Sequence, residues 1–124
     1  MKLHLSRADG LNLIKAYEDD SIRVNGIDYA GNLVVLPEQL LQDWTQATAE
    51  TLTADDLRPL LDLQVEVILL GTGPRLRFPP PQLLQPFLRQ GIGIEVMDRP
   101  AACRTYNFLL GEDRRVALAL LLQA

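Results

Sequence analysis

The side chains that could do chemistry in this sequence are concentrated in its second half. A glycine-rich turn, Gly71-Thr72-Gly73, follows an apolar run and could hold a phosphate group. The single cysteine, Cys103, could act as a nucleophile. Nearby guanidinium groups could bind a carboxylate or a phosphate through forked hydrogen bonds. They belong to Arg75, Arg99 and Arg104.

The glycine-rich turn lacks the rest of a dinucleotide-binding motif. That motif has a third glycine and a helix that opens directly from the turn, so that the helix N-terminus meets the pyrophosphate. Here the segment Pro74-Arg75-Leu76-Arg77-Phe78 and three prolines, Pro79-Pro80-Pro81, follow instead. Glu95 does fall near the next strand, as a ribose-binding acid would. We favour a tight turn that lets neighbouring elements pack, because Gly71 and Gly73 permit backbone angles that side chains forbid.

Cys103 has no base beside it in the sequence. A position in the first turns of a helix, next to Arg104, would lower the pKa of a thiol. The only histidine, His4, is remote, and one cysteine with one histidine gives no spacing typical of a metal site. We therefore expect Cys103 to pack in the core, and we expect no cofactor.

The elements that must position these residues are predicted to form a βαβ unit. The run from Val65 to Leu70 is nearly continuous, apolar and rich in β-branched residues, which is typical of a strand buried on both faces. A helix from Gln82 to Gln90 leads to a second strand from Ile92 to Met97, and this connection should be right-handed. The apolar face of that helix comprises Leu83, Leu84, Phe87 and Leu88.

A longer helix is predicted after Met97. Pro100 occupies a favoured first position, and Gly111 follows the predicted end. Asp98 or Arg99 flanks the start. Because a residue before proline is biased away from helical geometry, we expect Arg99 at the cap position.

The carboxyl ends of the two parallel strands should meet in one crevice, where ligands of open α/β sheets collect. We hypothesise that this crevice holds a small anion. In the alternative, Asp98 and Glu95 pair with the arginines and order the loop. The crevice comprises Gly71, Thr72, Gly73, Arg75, Glu95, Met97, Asp98, Arg99, Cys103, Arg104 and Asn107.

The first half of the chain predicts a small antiparallel meander. Its strands run from Leu11 to Tyr17, from Ser21 to Asn25 and from Leu33 to Leu36, and Asn25-Gly26 is a strong signal for a tight hairpin. The segment from Leu40 to Ala47 fits a strand or a loop. A capping box then begins a short helix at Thr53-Ala54-Asp55-Asp56.

The composition predicts a single domain, residues 1–124, in the cytoplasm. No apolar run reaches membrane-spanning length, and His4 and Arg7 interrupt the start before a signal-peptide core could form. The lone cysteine fits a reducing compartment. A net charge of −4 argues against general nucleic-acid binding. Residues 1–74 carry five basic and twelve acidic side chains, whereas residues 75–124 carry seven arginines and four acidic side chains.

Several stretches resemble a known family of small single-domain proteins with no settled activity. These stretches are GTG after an apolar strand, the motif from Glu95 to Val116, Ile22-Arg23-Val24-Asn25-Gly26 and the lone Trp44. The family includes mitochondrial complex I assembly factor 3 and bacterial and archaeal domains of unknown function. It prefers threonine where this chain has Arg99, and a threonine would cap the helix at a gain of about 1 kcal/mol.

The resemblance implies a non-enzymatic interaction or assembly module whose partners are proteins, such as respiratory subunits. It also favours a strand over a helix for residues 116–122, beside the central strands. The fold expected is an α/β domain of three layers, with a mixed central sheet flanked by helices and the meander alongside. The alternative function is an anion-binding protein or enzyme that uses the crevice. An exposed patch of Trp44, Tyr29 or Phe78 would favour interaction, and a deep pocket with perturbed carboxylates would favour the alternative.

Overall fold

The computed structural model describes residues 10–18 and 20–122, which form two β-sheets and a set of short helices. The strands are β1 (Ile14–Tyr17), β2 (Ile22–Val24), β3 (Ile27–Tyr29), β4 (Leu33–Leu36), β5 (Gln39–Gln42), β6 (Val67–Gly71), β7 (Gly93–Met97) and β8 (Val116–Leu120). The α-helices are α1 (Ala54–Leu57), α2 (Gln85–Arg89) and α3 (Arg99–Gly111), with 3-10 turns at Arg58–Asp62 and Pro81–Leu83.

The larger sheet has five strands in the order β5-β4-β8-β6-β7. Strand β6 runs parallel to both β7 and β8, whereas β4 is antiparallel to β8 and β5. The predicted mixed sheet with a βαβ core is therefore confirmed. Strand β8 pairs with both β4 and β6, so residues 116–120 form a strand and not a helix, and all five are buried. Its uninterrupted apolar sequence is typical of a strand covered on both faces.

The molecule has three layers, as predicted. One face of the central sheet packs against α3 and the smaller sheet, through buried side chains that include Tyr106 and Ile22. The other face packs against α1, the 3-10 turn after it and α2, through Leu57, Leu60 and Phe87. The alternation of side chains along each central strand supplies both cores, since neighbouring residues point to opposite faces.

The smaller sheet contains β1, β2 and β3 only, so the predicted membership of Leu33–Leu36 in the meander is wrong. These residues form β4, which lies between β5 and β8 in the central sheet. All of its side chains are buried, which fits an interior strand better than a meander with one solvated face. The Asn25-Gly26 hairpin is confirmed: β2 and β3 pair antiparallel around it, and Asn25 has a φ of 57°.

The predicted helix from Gln82 to Gln90 is in fact a 3-10 turn followed by α2. Phe87 is buried, but Leu88 is 62% exposed, so its assignment to the apolar face was wrong. Pro86 is tolerated only in the first turn of a helix, so the α-helix begins at Gln85 and not at Gln82. Consecutive helical residues lie about 100° apart around the axis, and Leu88 therefore points away from the face that Phe87 buries.

Candidate functional site

The glycine-rich turn joins the ends of β6 and β7. The Thr72 backbone N–H donates to the Met97 carbonyl (2.9 Å). The Thr72 hydroxyl donates to the Arg75 carbonyl (2.7 Å) and accepts from the Arg77 N–H (3.0 Å). Thr72 is 6% exposed. Its polar groups thus hold the outgoing loop against the sheet.

Close packing accounts for Gly71, and backbone geometry accounts for Gly73. A Cβ at Gly71 would lie 2.7 Å from the Leu120 Cδ2 atom and 3.3 Å from the Ala102 Cβ atom. Gly73 has a φ of +112°, in the region that strongly favours glycine. The turn lets β6, β8 and α3 approach closely.

Asp98, and not Arg99, is the N-cap residue of α3. Asp98 has extended backbone angles, and its Oδ1 atom accepts from the Ala101 N–H (2.9 Å). Arg99 is already the first helical residue, and its own N–H donates to the Gly73 carbonyl (2.7 Å). This hydrogen bond and the aspartate cap outweigh the bias that Pro100 imposes on the residue before it.

The side chain of Arg99 is buried, with 2% of its surface exposed. Its Nη1 atom donates to the Glu18 carbonyl (2.7 Å), and its Nη2 atom donates to the Leu122 carbonyl (3.5 Å). The guanidinium therefore ties the loop after β1 to the segment after β8. Sequence reasoning missed Glu18 and Leu122, because both are far from Arg99 along the chain.

An open groove of about 680 Å³ lies beside Arg99. Glu18 and Asp20 on its wall are exposed acidic residues. A small anion in the groove would meet these negative charges as well as the guanidinium. The lining comprises Tyr17, Glu18, Asp20, Pro74, Arg99 and Pro100.

Two of the predicted crevice residues contact β1. The Asn107 side chain accepts from the Ile14 N–H (3.0 Å) and donates to the Ile14 carbonyl (2.8 Å). The Arg104 Nη1 atom donates to the Tyr17 hydroxyl (3.1 Å). Asn107 thus pairs with the β1 backbone as a neighbouring strand would, and this fastens the smaller sheet to α3.

The remaining residues of the predicted crevice range from fully buried to exposed. Cys103 is fully buried, and burial raises the pKa of its thiol to about 12, although the charges of Arg99 and Arg104 act to lower it. Glu95 on β7 and Arg75 in the loop are exposed, and Met97 is half-buried. The alternative pairing of Asp98 with the arginines is replaced by its bond to the helix N-terminus.

Residues 10–18 and 20–122 contain neither a metal-binding cluster nor a membrane-spanning helix. No group of three His, Cys, Asp or Glu side chains in these ranges is placed to hold a metal ion. None of the helices formed by the same residues is long and apolar enough to cross a membrane.

The sequence profile of the family described as "Protein of unknown function (DUF498/DUF598)" matches residues 14–121. The chain belongs to this family. The matched range contains both sheets, all three α-helices and the groove beside Arg99, so the family likeness extends over the whole described fold.

Similar proteins occur in animals and in bacteria. A zebrafish (Danio rerio) protein named NADH dehydrogenase (ubiquinone) 1 alpha subcomplex assembly factor 3 is 36% identical over 111 residues, which are 88% of this chain and 63% of that protein. This chain therefore spans less than two thirds of that relative's length.

Solved structures show the same fold. A Xanthomonas campestris protein is 35% identical with a TM-score of 0.82, over 98% of this chain and 92% of that one. A Bordetella pertussis protein described as an Mth938-like domain is 34% identical with a TM-score of 0.80, over the same shares of the two chains.

Proposed function

We propose that this chain is a protein-interaction module that supports the assembly of a larger complex. The observation that carries the proposal is the 36% identity to a named assembly factor across almost all of the described fold. The chemistry of the predicted crevice is compatible with this role. Thr72, Asp98, Arg99 and Asn107 each bond to the backbone of another segment or cap a helix, so their polar groups brace the fold.

The loop between β6 and the 3-10 turn at Pro81–Leu83, residues 72–80, offers a contact surface for a partner. Phe78 is 73% exposed and Leu76 is 49% exposed. The loop is anchored at Thr72, and Arg77 within it forms an ion pair with Glu50. Exposed aromatic and aliphatic side chains on an anchored loop are typical of protein contacts.

An exposed patch of Trp44, Tyr29 and Phe78, which would favour an interaction role, does not form. Trp44 packs against the face covered by α1 and α2, and its Nε1 atom donates to the Leu120 carbonyl (3.1 Å). Tyr29 packs against the opposite face of the central sheet. Phe78 is the member of this trio that is fully available, and we assign the contact to it and to Leu76.

Affinity capture with cross-linking in the source organism tests this proposal. We expect the intact chain to recover subunits of a respiratory NADH dehydrogenase, and we expect the Leu76→Ser/Phe78→Ser variant to recover at least several-fold less. Ile27→Ser is the matched control, because Ile27 is 60% exposed on the β2–β3 hairpin. Equal recovery by the double variant would remove the loop from the proposal. Recovery of no respiratory subunit by any form would contradict the assembly role.

A small-anion site is the second candidate, because Arg99 lines the groove. The exposed Arg75 and Arg104 side chains do not line the groove, but both charges lie next to it. Arg75 follows Pro74 of its wall, and Arg104 donates to the Tyr17 hydroxyl on its wall. A titration with phosphate and with small carboxylates, monitored through the NMR chemical shifts of the backbone amides, tests this site. Binding by the native chain that Arg75→Ala or Arg104→Ala weakens would support the site. No shift near Arg99, or unchanged binding by both variants, would dispose of it.

A further inference from the structure

Strand β7 is one outer edge of the central sheet, and β6 is its neighbour on the inner side. In a parallel pair, alternate residues of a strand bond to the same neighbour. The Gly93 N–H donates to the Glu66 carbonyl (2.9 Å), and the Met97 carbonyl accepts from the Thr72 N–H (2.9 Å). Gly93, Glu95 and Met97 therefore bond towards β6. The N–H and C=O groups of Ile94 and Val96 point outward, where a further strand would bind them.

This edge has few of the features that keep sheet edges from pairing. Exposed edge strands that stay unpaired usually carry lysines, prolines, a bulge or inward-pointing charges. β7 contains one charged residue, Glu95, and its register with β6 runs without a shift from Gly93 to Met97. The opposite edge strand, β5, begins and ends with exposed glutamines and lies between Glu38 and Asp43.

The helices on the two faces of β7 add exposed apolar side chains near this edge. Leu88 on α2 is 62% exposed, and Phe108 on α3 is 66% exposed. Both helices contact β7. In a pair of molecules related by a two-fold axis at β7, each of these helices would approach the same helix of the second molecule.

We propose that β7 pairs antiparallel with β7 of a second copy of this chain, which extends the central sheet across a two-fold axis. The strand is self-complementary in one register. With Ile94 opposite its own copy, Glu95 lies opposite Gly93 and Val96 lies opposite Ile92. Apolar residues then face apolar residues, and the carboxylate faces the residue with no side chain.

The other two registers that align outward-bonding residues are less favourable. With the axis at Glu95, two carboxylates would lie directly opposite each other, and like charges at that distance destabilise a strand pair. With the axis at Val96, Ile94 would lie opposite Asp98, where the strand gives way to α3. The self-pairing is tested at Gly93 and Glu95 and the assembly role at Leu76 and Phe78, so the two proposals can fail independently.

Charge changes at position 93 test both the pairing and its register. A side chain at position 93 fits within the monomer, because a Cβ at Gly93 would be 3.5 Å from its nearest neighbours. In sedimentation over a range of concentrations, we expect the intact chain to form a dimer of 13.9 kDa subunits. Gly93→Glu should weaken the dimer roughly tenfold, since it places a second carboxylate opposite Glu95 twice per dimer.

The double variant Gly93→Glu/Glu95→Lys should restore the dimer, because each new glutamate then faces a lysine. Gln42→Glu on the β5 edge is the control and should leave the dimer unchanged. An intact chain that stays monomeric at millimolar concentration would overturn the proposal. A dimer insensitive to Gly93→Glu would overturn it as well. Amide exchange in the intact chain gives a second readout: the Ile94 and Val96 amides should become more protected as concentration rises, and unchanged protection would contradict the pairing.

Discussion

Polar side chains at the carboxyl edge of the central sheet bond to the backbone of distant segments. Arg99 reaches a carbonyl 81 residues earlier in the chain, and Asn107 pairs with a strand 93 residues earlier. These roles could not be predicted, because sequence patterns report on near neighbours and arginine is seldom fully buried. What the sequence did predict is that these side chains and the glycine-rich turn belong to neighbouring strand ends.

The buried guanidinium of Arg99 should be a major contributor to stability. Arg99→Leu would remove charge-assisted hydrogen bonds to the Glu18 and Leu122 carbonyls, and we expect the free energy of unfolding to fall by about 2–3 kcal/mol. Arg75→Ala is the control, because Arg75 is an exposed side chain on the adjacent loop. It should change stability by less than about 0.5 kcal/mol. Denaturant unfolding measures both. Equal effects would refute the bracing role of Arg99.

The Cys103 thiol should be inert in the folded protein. Burial raises its pKa to about 12, so the thiolate is scarce at neutral pH and reagent has no access. We expect a maleimide to label the native chain at least about a hundredfold more slowly than the chain unfolded in guanidinium. A Cys103→Ala/Gln46→Cys variant, with its cysteine at an exposed position, should label at the unfolded rate throughout. Rapid labelling of native Cys103 would show that the thiol is reactive.

At the scale of elements, local patterns predicted the start of α1 and missed the start of α3 by one residue. The capping box at Thr53 is present in full, with the Asp56 side chain accepting from the Thr53 N–H (2.8 Å). The start of α3 was placed one residue late, because the rule for residues before proline ignores the bond that Arg99 makes to Gly73.

The aspartate cap of α3 should be measurable by substitution. Asp98→Ala leaves the Ala101 N–H without its acceptor and should lower the free energy of unfolding by about 1 kcal/mol. Asp98→Ser keeps an acceptor oxygen and should lose only a few tenths of that. Thermal and denaturant unfolding of the two variants give the comparison. A serine variant as unstable as the alanine variant would mean that the capping bond contributes little.

The carboxylate of Asp56 should make α1 sensitive to acid. Its bonds from the Thr45 hydroxyl and from Thr53 hold its pKa below the ordinary aspartate value. The unfolded chain therefore binds this proton at a higher pH than the folded chain does. The stabilisation is complete above the unfolded pKa and is lost as pH falls through the folded pKa.

Unfolding measured at pH 6 and again near pH 3 tests this. Asp56→Asn should be less stable than the native chain at pH 6, and it should lose less stability on acidification. A variant whose acid dependence matches that of the native chain would show that Asp56 does not contribute to it.

At the scale of the whole molecule, the sequence predicted the layers and most strands, but not which sheet each strand joins. The apolar run of β6 marked a central strand, whereas the run of β8 fitted a helix or a strand until the family resemblance favoured a strand. The position of β4 depends on β8, which follows more than 80 residues later, and no local pattern carries that information. The groove beside Arg99 was likewise unpredictable, since Tyr17 at the end of β1 and Asp20 in the β1–β2 loop belong to the smaller sheet.

The central functional claim is that the loop carrying Leu76 and Phe78 contacts an assembly partner. Its most direct measurement is site-specific photo-cross-linking in the source organism, with a photoreactive amino acid at position 78 and, as control, at position 27. We expect a cross-linked respiratory subunit from position 78 that is absent or much weaker from position 27. Cross-links at position 27 alone, or at neither position while other surfaces capture the same subunit, would contradict it.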